Sequence, residues 1–523
     1  MQHCAYQFTI GGHMDGPLLA IDRLDERPVV EQIVEAMRDA ILTGALRPGD
    51  RVASTRVLAA ELGTARSSVV SAYEQLAGEG YVELRQGAPT LVAQLGGRTD
   101  AGHGATDAAR RRRPAASAAP AIERSPAGRA ERTAGALGAR PAPRLDLRPG
   151  RPSVTRLDER AWRSAWRHAA AAEVPVDDPP RFGEPRLRAA IAEHVRHARG
   201  FACDPDDIVV TAGTSEAVGL IGTALGDRLG ARPLVAVEDP GYPNARQVLA
   251  RAGADLVPIP VGEHGLRLDA LRGLDRPADA ILVTPSHQYP LGGRLPVAAR
   301  LDLLEHARRT GAVVLEDDYD SEFRHVGPPM PTLASLDGST ADADAAVEAR
   351  ENRRVVLIGS FSKVMTPWLR LGYAVLPHDE ALRAAIAVVR EESPSPVPGI
   401  VQLAVAHLLT TGVLRRHIAA TRRDYAHRRK LVLAALGDLP GTQLVGLDGG
   451  LHAVLRLPGH DAVDAVTRRL DAAGIAVARL DEYSASAGDG QPGIVLGYAG
   501  VGDRELADAL ALLRAAVLAA PAG

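Results

Sequence analysis

A stretch of about 50 residues near the end of the first quarter of the chain interrupts every periodic pattern. Residues 96–144 consist mainly of Ala, Arg, Pro and Gly and include the run Arg110–Arg113. Such a composition cannot bury enough apolar surface to offset the loss of chain entropy, so we expect a flexible tether. The 523 residues are also too many for one compact core. The sequence therefore predicts a head at 18–94, a linker at 95–144 and a body at 145–523.

The composition excludes several classes of protein. Hydrophobic residues make up 46% and charged residues 24% of the chain, which is ordinary for a soluble globular protein. No apolar run approaches the roughly 18 residues that span a bilayer. Met1–Gly12 lacks the features of a signal peptide. Because Cys4 and Cys203 cannot build a disulfide framework or suggest a metal site, we expect a cytoplasmic protein without metal or membrane partners.

The head has the element order of a winged helix-turn-helix. An amphipathic helix is predicted over Val29–Thr43, and Ser54 is a good N-cap for a second helix that ends near Leu62. A third helix is predicted over 64–79, and 81–92 has the pattern of a small hairpin. This order predicts an α+β DNA-binding domain whose third helix enters the major groove. A head used only for protein contacts is the alternative.

Several motifs of the head resemble the GntR family of DNA-binding domains. They are Gly44–Arg51, Ser54–Ala59, Arg66–Val69 and Glu79–Tyr81. The resemblance implies DNA contacts by Arg56, Arg66, Ser67 and Ser68, and by a wing tip at Arg85, Gln86 and Gly87. Guanidinium and hydroxyl groups suit phosphate contacts, and arginine can also read guanine.

The head also departs from the GntR pattern. Ala65 stands where the family has a capping serine, which leaves Thr64 as a candidate cap for the third helix. Eight arginines face eleven acids between Leu18 and Leu95, so attraction to DNA must come from a clustered face. The linker has ten arginines against four acids; we expect it to be solvated, with added attraction to phosphates as the alternative.

The body alternates short apolar runs with helical stretches. The runs are Ile208–Val210, Leu234–Val237, Ile281–Val283, Val313–Leu315 and Val355–Ile358. Continuous rather than alternating apolar strands indicate a parallel-rich sheet covered on both faces, hence an α/β fold. After about Pro394, a long helical stretch and a second group of strands and helices predict a smaller C-terminal subdomain over 394–523.

Lysine usage singles out one residue of the body. The chain has 61 basic residues, of which only Lys363 and Lys430 are lysines. A lysine amine can form an imine with an aldehyde, whereas the delocalised guanidinium of arginine cannot. Lys363 lies in the motif Gly-Ser-Phe-Ser-Lys, and Lys430 lies in an ordinary helical pattern. Lys363 is therefore the candidate for covalent chemistry.

Two further motifs suit a pyridoxal phosphate site around Lys363. Asp317 follows an apolar strand, where a carboxylate can pair with a protonated pyridine nitrogen. Tyr319 is placed to hydrogen-bond the phenolic oxygen of the ring. The segment Thr211–Glu216 joins a strand to a helix and offers amides and hydroxyls to a phosphate.

These motifs resemble the fold-type I pyridoxal phosphate enzymes, and together with the head they resemble the MocR-type regulators. The resemblance implies Lys363 as the Schiff-base lysine, Asp317 at the pyridine nitrogen and Tyr319 at the ring oxygen. It further implies phosphate contacts by Ser360, Arg370, Thr214 and Ser215, stacking by Tyr242, and Tyr289 where aminotransferases have an asparagine. Ser362 is also a candidate, with a structural role in the loop as the alternative.

The residues expected to bind the substrate carboxylate differ from those of the aminotransferases. They hold the substrate carboxylate with an arginine before a C-terminal strand, but 488–493 contains none. Asn244 stands where some regulators of the family have an arginine, and Arg246 and Arg479 are candidate substitutes. We therefore expect a transcription regulator whose effector is pyridoxal phosphate itself or an amino compound.

The resemblance implies a head-to-tail homodimer that binds double-stranded operator DNA. One alternative is a working aminotransferase with an accessory DNA-binding head. Another is a body that only dimerises and in which Lys363 is vestigial.

Overall fold

The computed structural model describes residues 28–42, 46–47, 49–83, 89–93, 143–326, 330–337, 353–485 and 490–521. The chain forms two compact units, and the larger one contains nearly all described residues from 143 onward. The smaller unit contains the described residues of the head. The predicted linker lies outside the described residues, apart from residues 143 and 144.

The head has the element order that the sequence predicts. Helices α1 (Val29–Leu42), α2 (Thr55–Glu61) and α3 (Arg66–Gly78) precede an antiparallel pair of strands, β1 (Val82–Glu83) and β2 (Leu91–Val92). Ile33 of α1 and Val69 and Leu76 of α3 are completely buried. These residues recur at helical spacing, so one apolar stripe from each helix forms the core.

The two caps expected in the head differ in outcome. Ser54 Oγ accepts a hydrogen bond from Val57 N at 3.3 Å and so caps α2, as predicted. The residue before α3 is Ala65, which has no side-chain oxygen and makes no capping bond. The prediction that Thr64 caps this helix is wrong, because α3 begins one residue too late for its hydroxyl.

The central sheet of the body has eight strands. In chain order, and after a short strand β3 (Leu145–Asp146), they are β4 (Ile208–Thr211), β5 (Leu234–Asp239), β6 (Asp255–Gly262), β7 (Gly265–Leu266), β8 (Ala280–Val283), β9 (Val313–Asp318), β10 (Val355–Ser360) and β11 (Gly372–Val375). Their order across the sheet is β4-β11-β10-β9-β8-β5-β6-β7. The pairs from β6 through β10 are parallel, and β11 runs antiparallel to both neighbours. The predicted parallel-rich sheet is confirmed.

Helices cover both faces of this sheet. Neighbouring strand residues that point to opposite faces, such as Val209 and Val210, are both buried, which explains the continuous apolar runs. The helices around the sheet are Glu159–Ala170, Pro185–Arg199, Thr214–Leu229, Pro243–Arg251, Leu268–Arg272, Val297–Thr310, Leu333–Leu336, Phe361–Val364, Glu380–Glu392 and Gly399–Thr410.

A smaller sheet forms the C-terminal subdomain. Its four antiparallel strands, in the order β12-β13-β16-β15, are β12 (Gln443–Val445), β13 (His452–Arg456), β15 (Ala478–Arg479) and β16 (Gly493–Gly497). The helices Val413–Leu436, His460–Ala472 and Asp503–Leu518 accompany it. Strand β14 (Ile475–Ala476) pairs in parallel with β3, so the first residues of the body join the C-terminal subdomain. Across the described part of the chain, no helix has both the length and the apolar character to cross a membrane.

Candidate functional site

Lys363 lies just beyond the carboxyl end of β10. The strand ends at Ser360, and the chain turns at once into the short helix Phe361–Val364, which carries the lysine. Lys363 Nζ donates a hydrogen bond to the Gly150 carbonyl at 3.0 Å. Burial lowers the pKa of Lys363, and the carboxylates of Asp320 and Asp317 oppose this effect. A buried amine with a lowered pKa is a more available nucleophile.

Asp317 lies beside this lysine because β9 and β10 are parallel. Asp317 of β9 is the partner of Ile358 of β10, so the carboxyl ends of the two strands meet at one edge of the sheet. The carboxylate is buried and accepts a hydrogen bond from Thr214 Oγ1 at 3.3 Å. Burial raises the pKa of Asp317 to about 7, and the neighbouring Asp318 adds to the rise. The charged form of this carboxylate is therefore poorly stabilised, and a cationic partner would stabilise it.

A helix N-terminus adjoins the end of β10. The helix Thr214–Leu229 begins after Gly213, whose positive φ of 92° suits glycine. A Cβ on Gly213 would lie 3.9 Å from Ser360 Oγ, so the first turn of this helix and the Ser360 hydroxyl are adjacent. Free amides at a helix N-terminus bind anions. Thr214 and Ser215 occupy that first turn.

The remaining predicted residues of this loop have different surroundings. Ser362 donates its backbone N–H to Ser360 Oγ at 3.2 Å and thereby fixes the orientation of that hydroxyl. Arg370 is exposed and has a positive φ of 46°, which is uncommon outside glycine. It ends the turn that leads into β11 at Gly372.

Tyrosine rings surround the same edge of the sheet, with Tyr289 at their centre. The Tyr289 ring makes edge contacts with Tyr242, Tyr319 and Tyr483, at centroid distances of 5.9, 5.5 and 5.4 Å. Its hydroxyl donates to the Tyr483 hydroxyl at 3.4 Å. The structure thus brings the two tyrosines predicted for the ring, Tyr242 and Tyr319, into contact with Tyr289.

A buried histidine and aspartate complete the site, and the sequence did not suggest them. His287 Nδ1 lies 2.9 Å from Asp320 Oδ2 and 3.0 Å from the Tyr319 hydroxyl. His452 of β13 lies beside them, with its ring centroid 5.2 Å from that of His287. Ligand atoms of His287, Asp320 and His452 all lie within 4.8 Å of one another, but hydrogen bonds to one another and to backbone carbonyls account for this spacing.

The two arginines considered for a substrate carboxylate are both engaged elsewhere. Arg246 is buried and donates to the carbonyls of Gly241, Tyr483 and Ser484 at 2.8 to 3.1 Å. Arg479 pairs with Asp464 and Asp481. Both therefore have structural partners, and neither replaces the missing arginine of the aminotransferases.

The predicted DNA-facing residues of the head lie around the start of α3. Arg56, Arg66 and Ser67 are exposed and Ser68 is half-buried. Arg66 Nε donates to Thr55 Oγ1 of α2 at 3.4 Å, so the arginine joins the two helices at the surface. Arg85, Gln86 and Gly87, the predicted wing tip, lie outside the described residues.

Comparisons with known proteins agree with both units. Residues 160–512 match the family "Aminotransferase class I and II", and residues 29–92 match "Bacterial regulatory proteins, gntR family". The body resembles the crystal structure of LysN, an α-aminoadipate aminotransferase from Thermus thermophilus complexed with N-(5'-phosphopyridoxyl)-L-leucine. The TM-score is 0.62 and the identity 28%, over 72% of this chain and 92% of that one.

Two relatives share the whole architecture. The chain is 36% identical to the HTH-type pyridoxine biosynthesis transcriptional regulator PdxR of Corynebacterium glutamicum, over 92% of this chain and 94% of that protein. It is 33% identical to the probable rhizopine catabolism regulatory protein MocR of Rhizobium meliloti, over 96% of each. The chain therefore belongs to the MocR-type regulators of the GntR family, transcription regulators that join a DNA-binding winged helix-turn-helix to a pyridoxal-phosphate-dependent aminotransferase-like domain.

Proposed function

We propose that the body holds pyridoxal phosphate through Lys363 and that this cofactor, or an amino compound bound to it, changes how the heads engage operator DNA. One observation carries the proposal: a buried amine, a buried carboxylate and a helix N-terminus converge at one edge of the central sheet. A ligand alters an equilibrium only by binding one arrangement better than another. If pyridoxal phosphate itself is the signal, cofactor-free and cofactor-loaded protein must therefore differ in DNA affinity.

The donor set at this edge suits the reactive end of the cofactor. The lowered pKa of Lys363 favours an uncharged amine that can bond to the aldehyde carbon. The raised pKa of Asp317 means that a cationic partner such as a protonated pyridine nitrogen would stabilise its charged form. When bound, the cofactor supplies an electron-withdrawing ring beside the lysine.

The other residues suit its remaining groups. We assign the phosphate to the helix N-terminus at Thr214 and Ser215, to Ser360 as oriented by Ser362, and to Arg370. Tyr242 would stack on the ring, and Tyr289 and Tyr319 would lie toward its phenolic oxygen.

The head supplies the DNA contacts in this proposal. We assign phosphate and base contacts to Arg56, Arg66, Ser67 and Ser68, and backbone contacts to a wing tip at residues 85–87. In a head-to-tail homodimer, two heads would bind two half-sites of a double-stranded operator. The exposed start of α3 supports this assignment.

The site favours pyridoxal phosphate itself as the effector. The segment 484–493 contains no arginine, and Arg246 is buried with three of its N–H groups bonded to backbone carbonyls, so an amino acid carboxylate lacks its usual partner. The relative named for pyridoxine biosynthesis supports the same choice. An amine without a carboxylate is the second effector class that these surroundings suit.

A working aminotransferase is the second candidate function. Lys363, Asp317 and Tyr319 together form the set that such an enzyme needs, and their proximity favours this candidate. The missing carboxylate arginine and the fused DNA-binding head count against it. Production of keto acid at ordinary enzyme rates would support it.

Fluorescence anisotropy tests the proposed function. The DNA upstream of the gene is titrated with cofactor-free and cofactor-loaded protein at fixed salt. We expect the two affinities to differ by about fivefold or more, and Lys363→Ala to remove the difference. Lys430→Ala is the matched control, because this second lysine is exposed on the helix Val413–Leu436.

Two other outcomes of this titration would contradict parts of the proposal. Equal, tight binding by both forms would contradict the cofactor as signal and would direct the search to an amine effector. Absence of specific binding by either form would contradict the regulator and favour the aminotransferase.

A further inference from the structure

The surroundings of Tyr319 contain a second layer of buried polar groups. His287 Nδ1 lies 3.0 Å from the Tyr319 hydroxyl and 2.9 Å from Asp320 Oδ2, and all three residues are buried. The other ring nitrogen, His287 Nε2, lies 3.3 Å from the Gly446 carbonyl oxygen. A carbonyl only accepts hydrogen bonds, so Nε2 carries a proton. The protonation of Nδ1 then decides whether the ring is charged.

The two states of Nδ1 place the tyrosine proton differently. If Nδ1 is bare, it accepts the Tyr319 O–H, and the proton is directed away from any other acceptor. If Nδ1 is protonated, it donates its single proton to Asp320 and no longer accepts from Tyr319, and the Asp320 carboxylate is then the other buried acceptor near the tyrosine proton. The charge on His287 thus decides whether its ring competes with other acceptors for the Tyr319 proton.

We propose that His287 and Asp320 form an ion pair that positions the Tyr319 proton for donation to the phenolic oxygen of the cofactor. His287 and Asp320 are positioning residues in this scheme, because they act through Tyr319. The inference rests on the proposed function, which assigns Tyr319 to that oxygen. It adds a regulatory layer: the protonation of the lysine–cofactor linkage depends on a residue pair that does not touch the cofactor.

The charges around His287 favour its protonated form. Asp320 and Asp448 raise the pKa of His287 although burial opposes them. The two other histidines near it are neutral at physiological pH, because burial lowers the pKa of His325 and of His452 to about 4. Tyr319 contributes a neutral hydroxyl, since burial raises its pKa.

The backbone at Gly450 approaches this pair closely. A Cβ on Gly450 would lie 2.7 Å from His287 Cε1 and would also overlap the Asp320 carboxylate. Only glycine therefore fits at this position, where φ is 71°. Both side chains of the pair are buried away from solvent, where charges interact more strongly than in water.

Absorbance titration of the cofactor-loaded protein tests the proposal. A hydrogen-bond donor backed by positive charge stabilises the more negative, deprotonated form of the lysine–cofactor linkage, so losing it raises the pH midpoint. We expect His287→Gln to raise this midpoint by about one pH unit, because it leaves Asp320 unpaired. Asp320→Asn should raise it by a smaller amount, because His287 loses its charge together with its partner.

Two variants serve as matched controls. His325→Gln replaces one neutral group with another, and His325 bonds to Gly450 O and the Tyr498 hydroxyl rather than to Tyr319, so the midpoint should not move. In a Tyr319→Phe background, Asp320→Asn should no longer shift the midpoint, because the coupling passes through the hydroxyl. Unchanged midpoints in both pair variants, or a full shift in the Tyr319→Phe background, would overturn the proposal.

Nitrogen NMR of cofactor-free protein provides a second readout. We expect wild-type protein labelled with ¹⁵N-histidine to show, at pH 7, a doubly protonated ring signal that is absent from His287→Gln and lost in Asp320→Asn. A neutral His287 in the wild type would overturn the ion pair. Failure of the wild type to take up cofactor would instead contradict the proposed function, and the NMR result would still decide the state of His287.

Discussion

The head and the body hold their candidate functional residues in opposite environments. Arg56, Arg66 and Ser67 of the head are exposed to water, whereas Asp317 and Lys363 of the body are buried among other polar groups. Exposed charges are screened by salt, so removing one of them changes the energies of the others little. Buried groups shift one another's pKa, so one substitution changes several neighbours. The effects of substitutions on DNA binding by the head should therefore be additive. The effects of substitutions on the cofactor site of the body should depend on one another.

The largest effect that this comparison predicts is at Lys363. Lys363→Arg keeps a positive charge but removes the nucleophile, so covalent attachment of the cofactor should be lost completely. Absorbance after dialysis against cofactor-free buffer measures the loss. Binding of nonspecific DNA at low salt should stay at the wild-type level, because the head is a separate unit. A concurrent loss of that binding would contradict the independence of the two regions.

A second effect, specific to the body, is loss of stability in acid. The pKa of His452 is about 4 in the folded protein, below its ordinary value of 6.5. As pH falls below 6.5, the unfolded chain binds a proton that the folded chain refuses, so stability falls until pH approaches 4. We expect His452 to contribute a loss of about 2 to 3 kcal/mol between pH 7 and pH 4.5.

Urea unfolding of His452→Gln at the two pH values measures this contribution. Glutamine keeps a donor for the Pro290 carbonyl, which His452 Nε2 contacts at 2.9 Å, but does not titrate. The variant should lose less stability than the wild type on acidification. Identical losses in both proteins would assign the acid sensitivity to other groups, such as His325.

In the head, substitution of Arg66 should weaken DNA binding without other consequences. Arg66→Ala should lower operator affinity by about tenfold and reduce the salt dependence by about one ion, as expected for one lost phosphate contact. Arg163→Ala is the matched control, because Arg163 is an exposed arginine of the body that pairs with Glu159. Cofactor absorbance should be unchanged in both variants. A change in absorbance with Arg66→Ala would contradict the contrast between the regions.

The smallest predicted effect concerns the caps of the head. Ser54→Ala should lower the local stability of α2 by about 1 kcal/mol, because the Val57 amide loses its acceptor. Thr64→Ala should change it by less than about 0.5 kcal/mol, since Thr64 is not a cap. Amide hydrogen exchange of α2 and α3 in the full chain measures both. Equal effects of the two substitutions would contradict the capping geometry.

Much of the body could be predicted because local signals agree with the fold. Continuous apolar runs marked the strands that became β4, β5, β8, β9 and β10. Lys363 was conspicuous because a lysine is so rare in this chain. Parallel pairing of β9 with β10 then brought Asp317 beside it, which the rule for strand ends anticipates.

The second layer of the site could not be predicted, because it depends on contacts between distant segments. His287 and Asp320 are 33 residues apart, and nothing in either motif indicates the other as a partner. The sequence makes Arg246 a candidate ligand for a carboxylate. In the structure it instead binds the carbonyls of Tyr483 and Ser484, which lie more than 230 residues further along the chain. Thr64 was a plausible cap by composition, but the start of α3 depends on how the helix packs.

The pairing of β3 with β14 has a mechanical consequence for signalling. Leu145, the first residue of β3, is anchored to the C-terminal subdomain, and Gly150, five residues later, holds the Lys363 amine. These five steps span at most about 18 Å of extended chain. The hydrogen bond from Lys363 to the Gly150 carbonyl therefore connects the reactive amine to the segment through which the chain enters the body. Along the chain, the first described residues of the body and the carbonyl that holds the reactive amine are thus separated by one short stretch of backbone.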